Sequence, residues 1–398
     1  MKYHVIGLMS GTSLDGADIV YCTFSYHHDI WKYQIHQAET IPYSGRWHSR
    51  LRDLEKGSAF DFAKTDMDFG HLLGSLTQEF INRHELHPDF IASHGHTIFH
   101  QPGVKLTSQI GHGSAIAAET GLPVICDFRS LDVALGGQGA PLVPIGDRLL
   151  FGEFGFCLNL GGFANISRET NKDRIAYDIC PVNIVLNALA EKLGHPFDRD
   201  GSFARMGSVN PALLEALNKL PFYSRRPPKS LGKEWVIDQI WPLITAHYQN
   251  IDLHTDARGQ SPVSGETTNA IHDILATWCE HTAIQVGKAV MHPEKTNLRP
   301  PEIDPVDSIS YNKETVSSGD RLLLITGGGA LNQYLIDRIT RHTRMKIIIP
   351  DPVTINFKEA LIFALLGTLR WRQEINCLKS VTGASKDNIG GAIYFHKV

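Results

Sequence analysis

The sequence lacks the cysteine pattern of a disulfide-bonded or zinc-binding protein. Its six cysteines are scattered along 398 residues, and no two of them form a Cys-x-x-Cys pair. A reducing compartment suits such a chain, so we expect a cytoplasmic protein. The positions are Cys22, Cys126, Cys157, Cys180, Cys279 and Cys377.

The sequence also lacks an excess of positive charge and a long apolar run. Lysine and arginine number 38 against 42 aspartates and glutamates, which gives a formal net charge of -4. Nucleic-acid binders usually carry a basic face, so we expect no nucleic-acid partner. No apolar run reaches about 18 residues, and no charged segment followed by an apolar one opens the chain. We therefore expect neither a membrane span nor a signal peptide.

The chain does contain an alternation of strand-like and helix-like segments. Residues 3–9 and 17–26 are typical of strands, and the short polar connection between them indicates a hairpin. Apolar residues recur at helical spacing over 183–194 and 268–290. This alternation is typical of an α/β protein. The polar, proline-rich segment 292–319 is predicted to be a surface insertion.

The segment GLMSGTSLDGADIV is the first candidate ligand-binding element. Glycine lets backbone N–H groups approach an anion closely, and a carboxylate can hold Mg²⁺, so the mixture suits a magnesium-bound polyphosphate. A polar hairpin turn capped by Asp15 is an equally favoured interpretation of the segment alone. The candidate residues are Ser10, Gly11, Thr12, Ser13, Asp15 and Gly16.

Two further glycine-rich strand exits follow. Gly161 and Gly162 lie in LNLGGFANIS, a weak signal by itself because many strand exits carry two glycines. Three glycines, Gly327 to Gly329, lie between an apolar strand and a helix in LITGGGALN, where a flat ligand could rest on the backbone. A tight strand-to-helix turn is the simpler alternative. Neither segment contains the G-x-x-x-x-G-K-[ST] loop.

Asp178, in AYDICPVN, is the candidate general base. It follows a short β-like run and precedes a helix, and a carboxylate at a strand end can accept a proton from a hydroxyl or from water. Local pattern slightly favours the alternative that Asp178 is the N-cap of that helix.

Arg129 and His94 are candidates for binding a polar substrate. Arg129 lies between Asp127 and Asp132, and arginine is a preferred partner of carboxylates and phosphates, although a structural ion pair is the commoner reason for such spacing. His94 and His96 form a His-x-His pair that could bind a metal. A hydrogen-bonding loop beside a polar ligand is the favoured interpretation, because no acid and histidine set matches it elsewhere.

The order of these motifs resembles the actin, hexokinase and heat-shock ATPase superfamily. More closely, the chain resembles the 1,6-anhydro-N-acetylmuramic acid kinase family, from residue 4 to about residue 395. The most specific strings are MSGTSLDG, DFR followed by ALGGQGAPLVP, PPKSLGKE and SVTGAS. The resemblance implies a two-lobed actin/hexokinase-like (ribonuclease H-like) α/β fold with ATP in the interdomain cleft. It implies one domain of residues 1–130 plus 356–398 and a second of residues 131–355.

Three strings differ from the usual pattern of that family. D-T-G-P-G-N is replaced by the sequence from Asp178 to Asn183, DICPVN, which keeps the acid, the proline and the asparagine. The family string I-G-D is replaced by IGH at residues 110–112, so the acid of the family pattern is replaced by His112. The family string H-G-Q-T is replaced by HGHT at residues 94–97. The phosphate-binding segments keep the family pattern.

The resemblance also implies an activity and a set of site residues. The family converts anhydro-N-acetylmuramic acid, ATP and water to N-acetylmuramic acid 6-phosphate in cell-wall recycling, and it tends to form homodimers. Asp178 would be the base and Asp15 the magnesium ligand. The nucleotide would contact Gly11, Thr12, Ser13, Asp15, Gly16, Gly161, Gly162, Gly327, Gly328, Gly329 and Asn332. The amino sugar would contact Ser10, His94, Arg129 and Glu359.

Three alternatives remain open at this point. The first is another amino-sugar kinase that uses Asp178 without opening a ring. The second is a metal-dependent hydrolase built on His94 and His96. The third is a nucleotide-binding module without catalysis.

Overall fold

The computed structural model describes residues 1–11, 14–170, 173–248, 265–291 and 322–395. Thr12 and Ser13, both predicted to contact the nucleotide, lie outside the described residues. The predicted surface insertion 292–319 lies outside them as well.

Strands and helices alternate along the described chain, as predicted for an α/β protein. The strands are β1 (Lys2–Ser10), β2 (Gly16–His27), β3 (Ile30–Pro42), β4 (Phe90–Gln101), β5 (Leu106–Ile110), β6 (Val124–Cys126), β7 (Phe156–Leu160), β8 (Phe163–Glu169), β9 (Arg174–Pro181), β10 (Leu322–Thr326), β11 (Lys346–Ile348) and β12 (Ala392–Tyr394). The helices are α1 (Gly45–Asp53), α2 (Ala59–His84), α3 (Gly113–Thr120), α4 (Ser130–Ala134), α5 (Val143–Leu150), α6 (Asn183–Lys192), α7 (Ser202–Met206), α8 (Pro211–Asn218), α9 (Lys233–Trp235), α10 (Trp241–His247), α11 (Gly265–Met291), α12 (Gln333–His342), α13 (Pro352–Trp371) and α14 (Lys379–Thr382).

The chain forms two compact units. The first comprises Met1–Gly152, Thr170–Ile175 and Asn356–Val398, and the second comprises Glu153–Glu169 and Ala176–Ile355. The predicted division at residue 130 assigned residues 131–152 to the second domain, whereas these residues belong to the first compact unit. They do so because α4 packs beside β5 and α5 packs beside β3. The division into functional domains stays a prediction.

The sheet of the first unit has the strand order β12-β6-β4-β1-β2-β3, with β5 paired to β4. β1 and β2 are antiparallel neighbours, with Ser10 opposite Ala17, so the predicted hairpin is confirmed. β4 runs parallel to β1, and its register shifts between the pairs Leu8–Ser93 and Ser10–His96. This shift is a local bulge, and it sets the direction of the side chains near His94.

The sheet of the second unit has the strand order β11-β10-β7-β8-β9. β10 is parallel to β7, with Thr326 opposite Asn159, and β7 forms an antiparallel hairpin with β8. Because the carboxyl ends of neighbouring parallel strands lie at the same edge of a sheet, the glycine turns after β7 and β10 are brought together there.

Helix α13 contributes a buried apolar segment to the first unit. Its residues from Ala360 to Leu366 are all at most 2% exposed. By length and composition alone α13 could cross a membrane, but 78% of the relevant window is buried inside the protein. A fully buried leucine or isoleucine contributes about 1.5–3 kcal/mol to folding, so this helix is a major source of stability.

Gly7→Ala is expected to lower the free energy of unfolding by about 3 kcal/mol, because α13 packs directly on β1 at this position. A Cβ added to Gly7 would lie 2.1 Å from the Ala360 carbonyl oxygen and 3.0 Å from the Ala364 Cβ. Urea unfolding measures the effect. Gly45→Ala is the matched control, because a Cβ there meets no atom of the structurally described chain within 4 Å. Equal unfolding free energies for the two variants would contradict this packing.

Candidate active site

The two glycine turns of the second unit touch one another. A Cβ added to Gly327 would lie 2.5 Å from Asn159 Oδ1, and one added to Gly329 would lie 2.7 Å from the Leu160 Cβ. Gly327 also has φ 80° and ψ 164°, a conformation that is essentially restricted to glycine. The third candidate, Gly328, is not restricted in this way, since among the described residues a Cβ there would approach only Asn183 Nδ2, at 3.7 Å.

Asn183 connects the start of α6 to the turn after β7 through two hydrogen bonds. Its side-chain amide donates to the Leu160 carbonyl at 3.0 Å, and its backbone N–H donates to the Gly161 carbonyl at 3.2 Å. The Val182 N–H donates to the Gly162 carbonyl at 2.8 Å. A Cβ at Gly162 would meet no atom of the described residues within 4 Å, so their packing does not require glycine there.

Asn332 has a structural role that the sequence did not reveal. Its side chain accepts a hydrogen bond from the Leu335 N–H at 3.0 Å and caps α12. The residue is 7% exposed. A contact between Asn332 and a nucleotide stays a prediction, and the cap alone accounts for a small polar side chain at this position.

Asp178 lies near the end of β9, and the N-cap hypothesis for it is wrong. Helix α6 is capped by Val182 without a side-chain hydrogen bond. The Asp178 carboxylate instead accepts the Leu231 N–H at 2.8 Å, and the Asp178 N–H donates to the Lys229 carbonyl at 3.0 Å. Burial raises the pKa of Asp178 above its ordinary value, while the Leu231 N–H and the Lys229 charge oppose that rise. A carboxylate of this kind is suited to accept a proton.

Lys229 was not assigned a role from the sequence, although it lies in the family string PPKSLGKE. Its Nζ donates to the Phe222 carbonyl at 3.3 Å and lies 4.6 Å from the centre of the Phe222 ring. Burial lowers the pKa of Lys229 to about 8. The resemblance marked the string as important, but only the tertiary fold places it beside Asp178.

In the first unit, Arg129 pairs with His94 rather than with the flanking acids. Arg129 Nε donates to His94 Nε2 at 3.0 Å and Nη2 lies 2.9 Å from the same nitrogen, while Nη1 donates to the Gly139 carbonyl at 2.6 Å. Burial lowers the pKa of Arg129 to about 10, and the Glu359 carboxylate opposes that change. The structural ion pair proposed between Arg129 and Asp127 or Asp132 is therefore wrong. Among the residues that the structure describes, two of the five guanidinium N–H groups have no acceptor and remain for another partner.

His94 is held as a neutral ring, which argues against the metal alternative. Because Arg129 donates to Nε2, the ring proton is on Nδ1, which lies 2.9 Å from the Gly95 carbonyl. Burial lowers the pKa of His94 well below its ordinary value and that of His96 to about 4. Within the described residues, no group of three or more His, Cys, Asp or Glu side chains is arranged to hold a metal ion.

Ser10 is buried within a hydrogen-bonded chain of side chains. The Tyr43 hydroxyl donates to Ser10 Oγ at 2.7 Å, and Ser10 Oγ lies 3.0 Å from His96 Nδ1. Ser10 is only 3% exposed, so its immediate role is to fix His96 at the β4 bulge. Direct contact between Ser10 and a sugar stays a prediction.

Acidic residues gather near the β1–β2 turn and the start of α13. Asp15 is exposed, and its negative charge contributes to the raised pKa of Asp18, of which burial is the main cause. The surrounding protein raises the pKa of Glu359, although part of that side chain reaches solvent. Gly16 has a packing role, because a Cβ there would lie 2.4 Å from the Ile41 carbonyl oxygen. The nucleotide contacts predicted for Gly11 and Gly16 stay predictions.

Asp132 organises the loop after α4, a role that the sequence did not show. The carboxylate is fully buried and accepts the Gly139 N–H at 2.8 Å. It also accepts the Thr382 hydroxyl at 2.8 Å and the Asn388 amide at 2.9 Å. The family strings ALGGQGAPLVP and SVTGAS are therefore joined at one buried carboxylate, and the Gly139 carbonyl is fixed for Arg129.

Comparison with known proteins gives a consistent result over the full chain. The family model described as "AnmK: Anhydro-N-acetylmuramic acid kinase" matches residues 3–299 and 305–396. The anhydro-N-acetylmuramic acid kinase of a Sulfurovum species is 32% identical over 405 residues, covering 99% of each chain. The protein of that name from Acinetobacter baylyi is 32% identical over 413 residues, covering 98% of each.

Solved structures give a weaker likeness. The activator of the 2-hydroxyisocaproyl-CoA dehydratase from Clostridium difficile, with bound ADPNP, is 14% identical at a TM-score of 0.41 and covers 93% of this chain and 97% of its own. A likeness at this TM-score supports no conclusion by itself.

The class defined by the matched sequences is that of the sugar kinases. Within that class, the chain belongs to the anhydro-N-acetylmuramic acid kinase family. The family resemblance stated from the motifs is therefore confirmed.

Proposed function

We propose that this protein phosphorylates anhydro-N-acetylmuramic acid at O6 while water opens its 1,6-anhydro ring. Water adds to C1, the bond between C1 and O6 breaks, and O6 takes the γ-phosphoryl group of ATP, leaving ADP. The proton lost by water goes to Asp178 and then to solvent. The products are N-acetylmuramic acid 6-phosphate and ADP.

The observation that carries this proposal is the environment of Asp178 in a chain of this family. Inverting glycosidases need one carboxylate to activate water and a second group to protonate the leaving oxygen. Here phosphoryl transfer captures the leaving oxygen, so a single carboxylate suffices. Asp178 is half-buried, is oriented by the Leu231 N–H, and has a raised pKa, all of which suit a general base.

Arg129 is the proposed partner of the lactyl carboxylate of the sugar. Its guanidinium is fixed on two sides, by His94 and by the Gly139 carbonyl, and it keeps two N–H groups for an acceptor. Because the group is already oriented, little side-chain freedom is lost when a carboxylate binds. Glu359, whose charge acts on Arg129, is the proposed hydrogen-bond partner of a sugar hydroxyl.

The residues present also suit a magnesium nucleotide. The turns at Gly161–Gly162 and Gly327–Gly329 lie together, and no atom of the described part of the chain lies within 4 Å of a Cβ placed on Gly162. ATP supplies the phosphoryl group, and Mg²⁺ would be held by the exposed Asp15 carboxylate and offset phosphate charge. We keep Gly11, Thr12, Ser13, Gly16 and Asn332 as proposed nucleotide contacts.

The test is a coupled ADP assay with anhydro-N-acetylmuramic acid in heavy-oxygen water. We expect ADP release that depends on the sugar, and a product that carries the label at C1. An unlabelled product that keeps the anhydro bridge would favour the alternative amino-sugar kinase without ring opening. Absence of sugar-dependent ADP release would refute the proposal.

Gly327→Ala is expected to weaken ATP binding at least about tenfold, because a non-glycine residue at φ 80° costs about 1–3 kcal/mol and the new Cβ would displace Asn159. Isothermal titration with a non-hydrolysable ATP analogue measures this affinity. Gly328→Ala is the matched control, since its Cβ makes only an ordinary contact. If the two variants bind equally well, the turn after β10 does not form part of the nucleotide site.

A further inference from the structure

The segment from Lys229 to Leu231 is bound to the strand that carries Asp178. The Asp178 N–H donates to the Lys229 carbonyl at 3.0 Å, and the Leu231 N–H donates to Asp178 Oδ2 at 2.8 Å. The same short segment therefore fixes the backbone and the carboxylate of Asp178. It also carries the only cation whose charge acts on Asp178 among the described residues, the Lys229 ammonium.

The Lys229 ammonium is held in place by the preceding turn. Its Nζ donates to the Phe222 carbonyl at 3.3 Å. The rings of Phe222 and Tyr177 lie 4.6 and 6.0 Å from Nζ, so the charge rests against two aromatic rings. Cation–π attraction favours the charged form of a lysine in such a position and partly offsets its desolvation.

A second hydrogen-bonded chain supports that turn from α11. His281 Nε2 lies 2.9 Å from the Tyr223 hydroxyl, and His281 Nδ1 lies 3.0 Å from Asn218 Oδ1. The Gln285 amide also donates to Asn218 Oδ1 at 2.5 Å, so that oxygen is an acceptor and His281 donates to it. His281 therefore accepts from Tyr223, and the turn that holds Lys229 is fixed to a buried helix.

We infer that Lys229 is a positioning residue that keeps Asp178 in its carboxylate form and aligned for proton transfer. This inference rests on the proposed function, in which Asp178 is the base. Lys229 acts through Asp178 and needs no contact with the sugar. Its ammonium stabilises the negative charge that burial of Asp178 disfavours.

The other charged groups near this pair are few in the described chain. Lys229 is also affected by Cys180 and by the exposed Arg225, and Asp178 by Lys229 alone. Burial raises the pKa of the Cys180 thiol to about 12, so this thiol is neutral at working pH. The pH response of Asp178 is therefore governed by its own burial, the Leu231 N–H and the Lys229 charge.

The test compares Lys229→Met, which keeps the length of the side chain and removes its charge, with Lys229→Arg, which keeps the charge. In Lys229→Met we expect the acid limb of the kcat/KM profile to move to higher pH, since a nearby positive charge favours the carboxylate form of Asp178. The difference in kcat/KM between Lys229→Met and wild type should be smallest at high pH, because Asp178 is ionised there in either protein. Lys229→Arg should restore the wild-type limb.

A direct titration makes the result independent of turnover. With ¹³C-carboxyl-labelled aspartate, the Asp178 resonance is assigned by its loss in Asp178→Asn and followed against pH. We expect it to titrate at higher pH in Lys229→Met than in wild type, and at the wild-type pH in the exposed-lysine control Lys233→Met.

Each outcome of these measurements decides a separate question. An Asp178 titration that is unchanged by Lys229→Met, or shifted equally by Lys229→Arg, would overturn the inference even if the enzyme is active. Wild-type protein without sugar-dependent ADP release would refute the proposed function, while the titration would still support or overturn the electrostatic role of Lys229.

Discussion

Asp178→Asn should lower kcat by about 10³-fold, because a positioned general base contributes about 10²–10⁴ to rate and an amide cannot accept the proton from water. The variant should fold normally, since the amide oxygen can still accept the Leu231 N–H that Asp178 accepts in the wild type. Steady-state kinetics with the anhydro sugar measure the loss. ATP-analogue affinity should be unchanged.

Asp238→Asn is the control for this experiment, because Asp238 is an exposed carboxyl of the same unit. It should keep full activity. In wild type, kcat/KM should fall as the pH drops through the pKa of Asp178, which burial places above 3.8. Substantial turnover by purified Asp178→Asn would show that another group activates the water.

Arg129→Ala should raise KM for anhydro-N-acetylmuramic acid by about 30-fold. This corresponds to about 2 kcal/mol, at the low end of the cost of removing one partner from a hydrogen-bonded charge pair. The low end applies because Arg129 is only half-buried and its charge is already opposed by Glu359. KM for ATP should not change.

The matched substrate for this variant is 1,6-anhydro-N-acetylglucosamine, which has no lactyl carboxylate. Its KM should be nearly the same for Arg129→Ala and wild type. Because Arg129 also holds the Gly139 carbonyl, thermal unfolding of the variant must be measured in parallel. An equal rise in KM for both sugars would mean that Arg129 supports the loop and does not recognise the carboxylate.

Much of the local structure followed from sequence pattern. The β1–β2 hairpin, the long helix α11 and the strand, glycine turn and helix from β10 to α12 were all predicted. These elements have strong local signals, namely apolar periodicity and glycines at strand ends. The division into units was not predicted in the same form, because the packing of α4 and α5 depends on contacts distant in sequence.

The site was predicted less completely than the fold. Asp178 and Arg129 were identified as candidates, but their hydrogen-bond partners were not. A sequence does not show which distant segments pack against each other in the fold. Leu231, which orients Asp178, lies 53 residues away, and His94, which holds Arg129, lies 35 residues away. The sequence predicted a helix cap for Asp178 and an ion pair with neighbouring acids for Arg129. In the structure, both side chains instead hydrogen-bond to residues distant in sequence.

The sequence by itself determined the family and the chemical groups available, because motif strings in a fixed order are specific and residue types fix which groups can ionise. Only the tertiary structure decided how those groups behave. Burial raises the pKa of the Asp178 carboxyl, Arg129 fixes His94 as a neutral ring, and the Lys229 carbonyl accepts a hydrogen bond from the Asp178 N–H. The physical reason is that pKa and orientation depend on desolvation and on hydrogen bonds from residues far away in the chain.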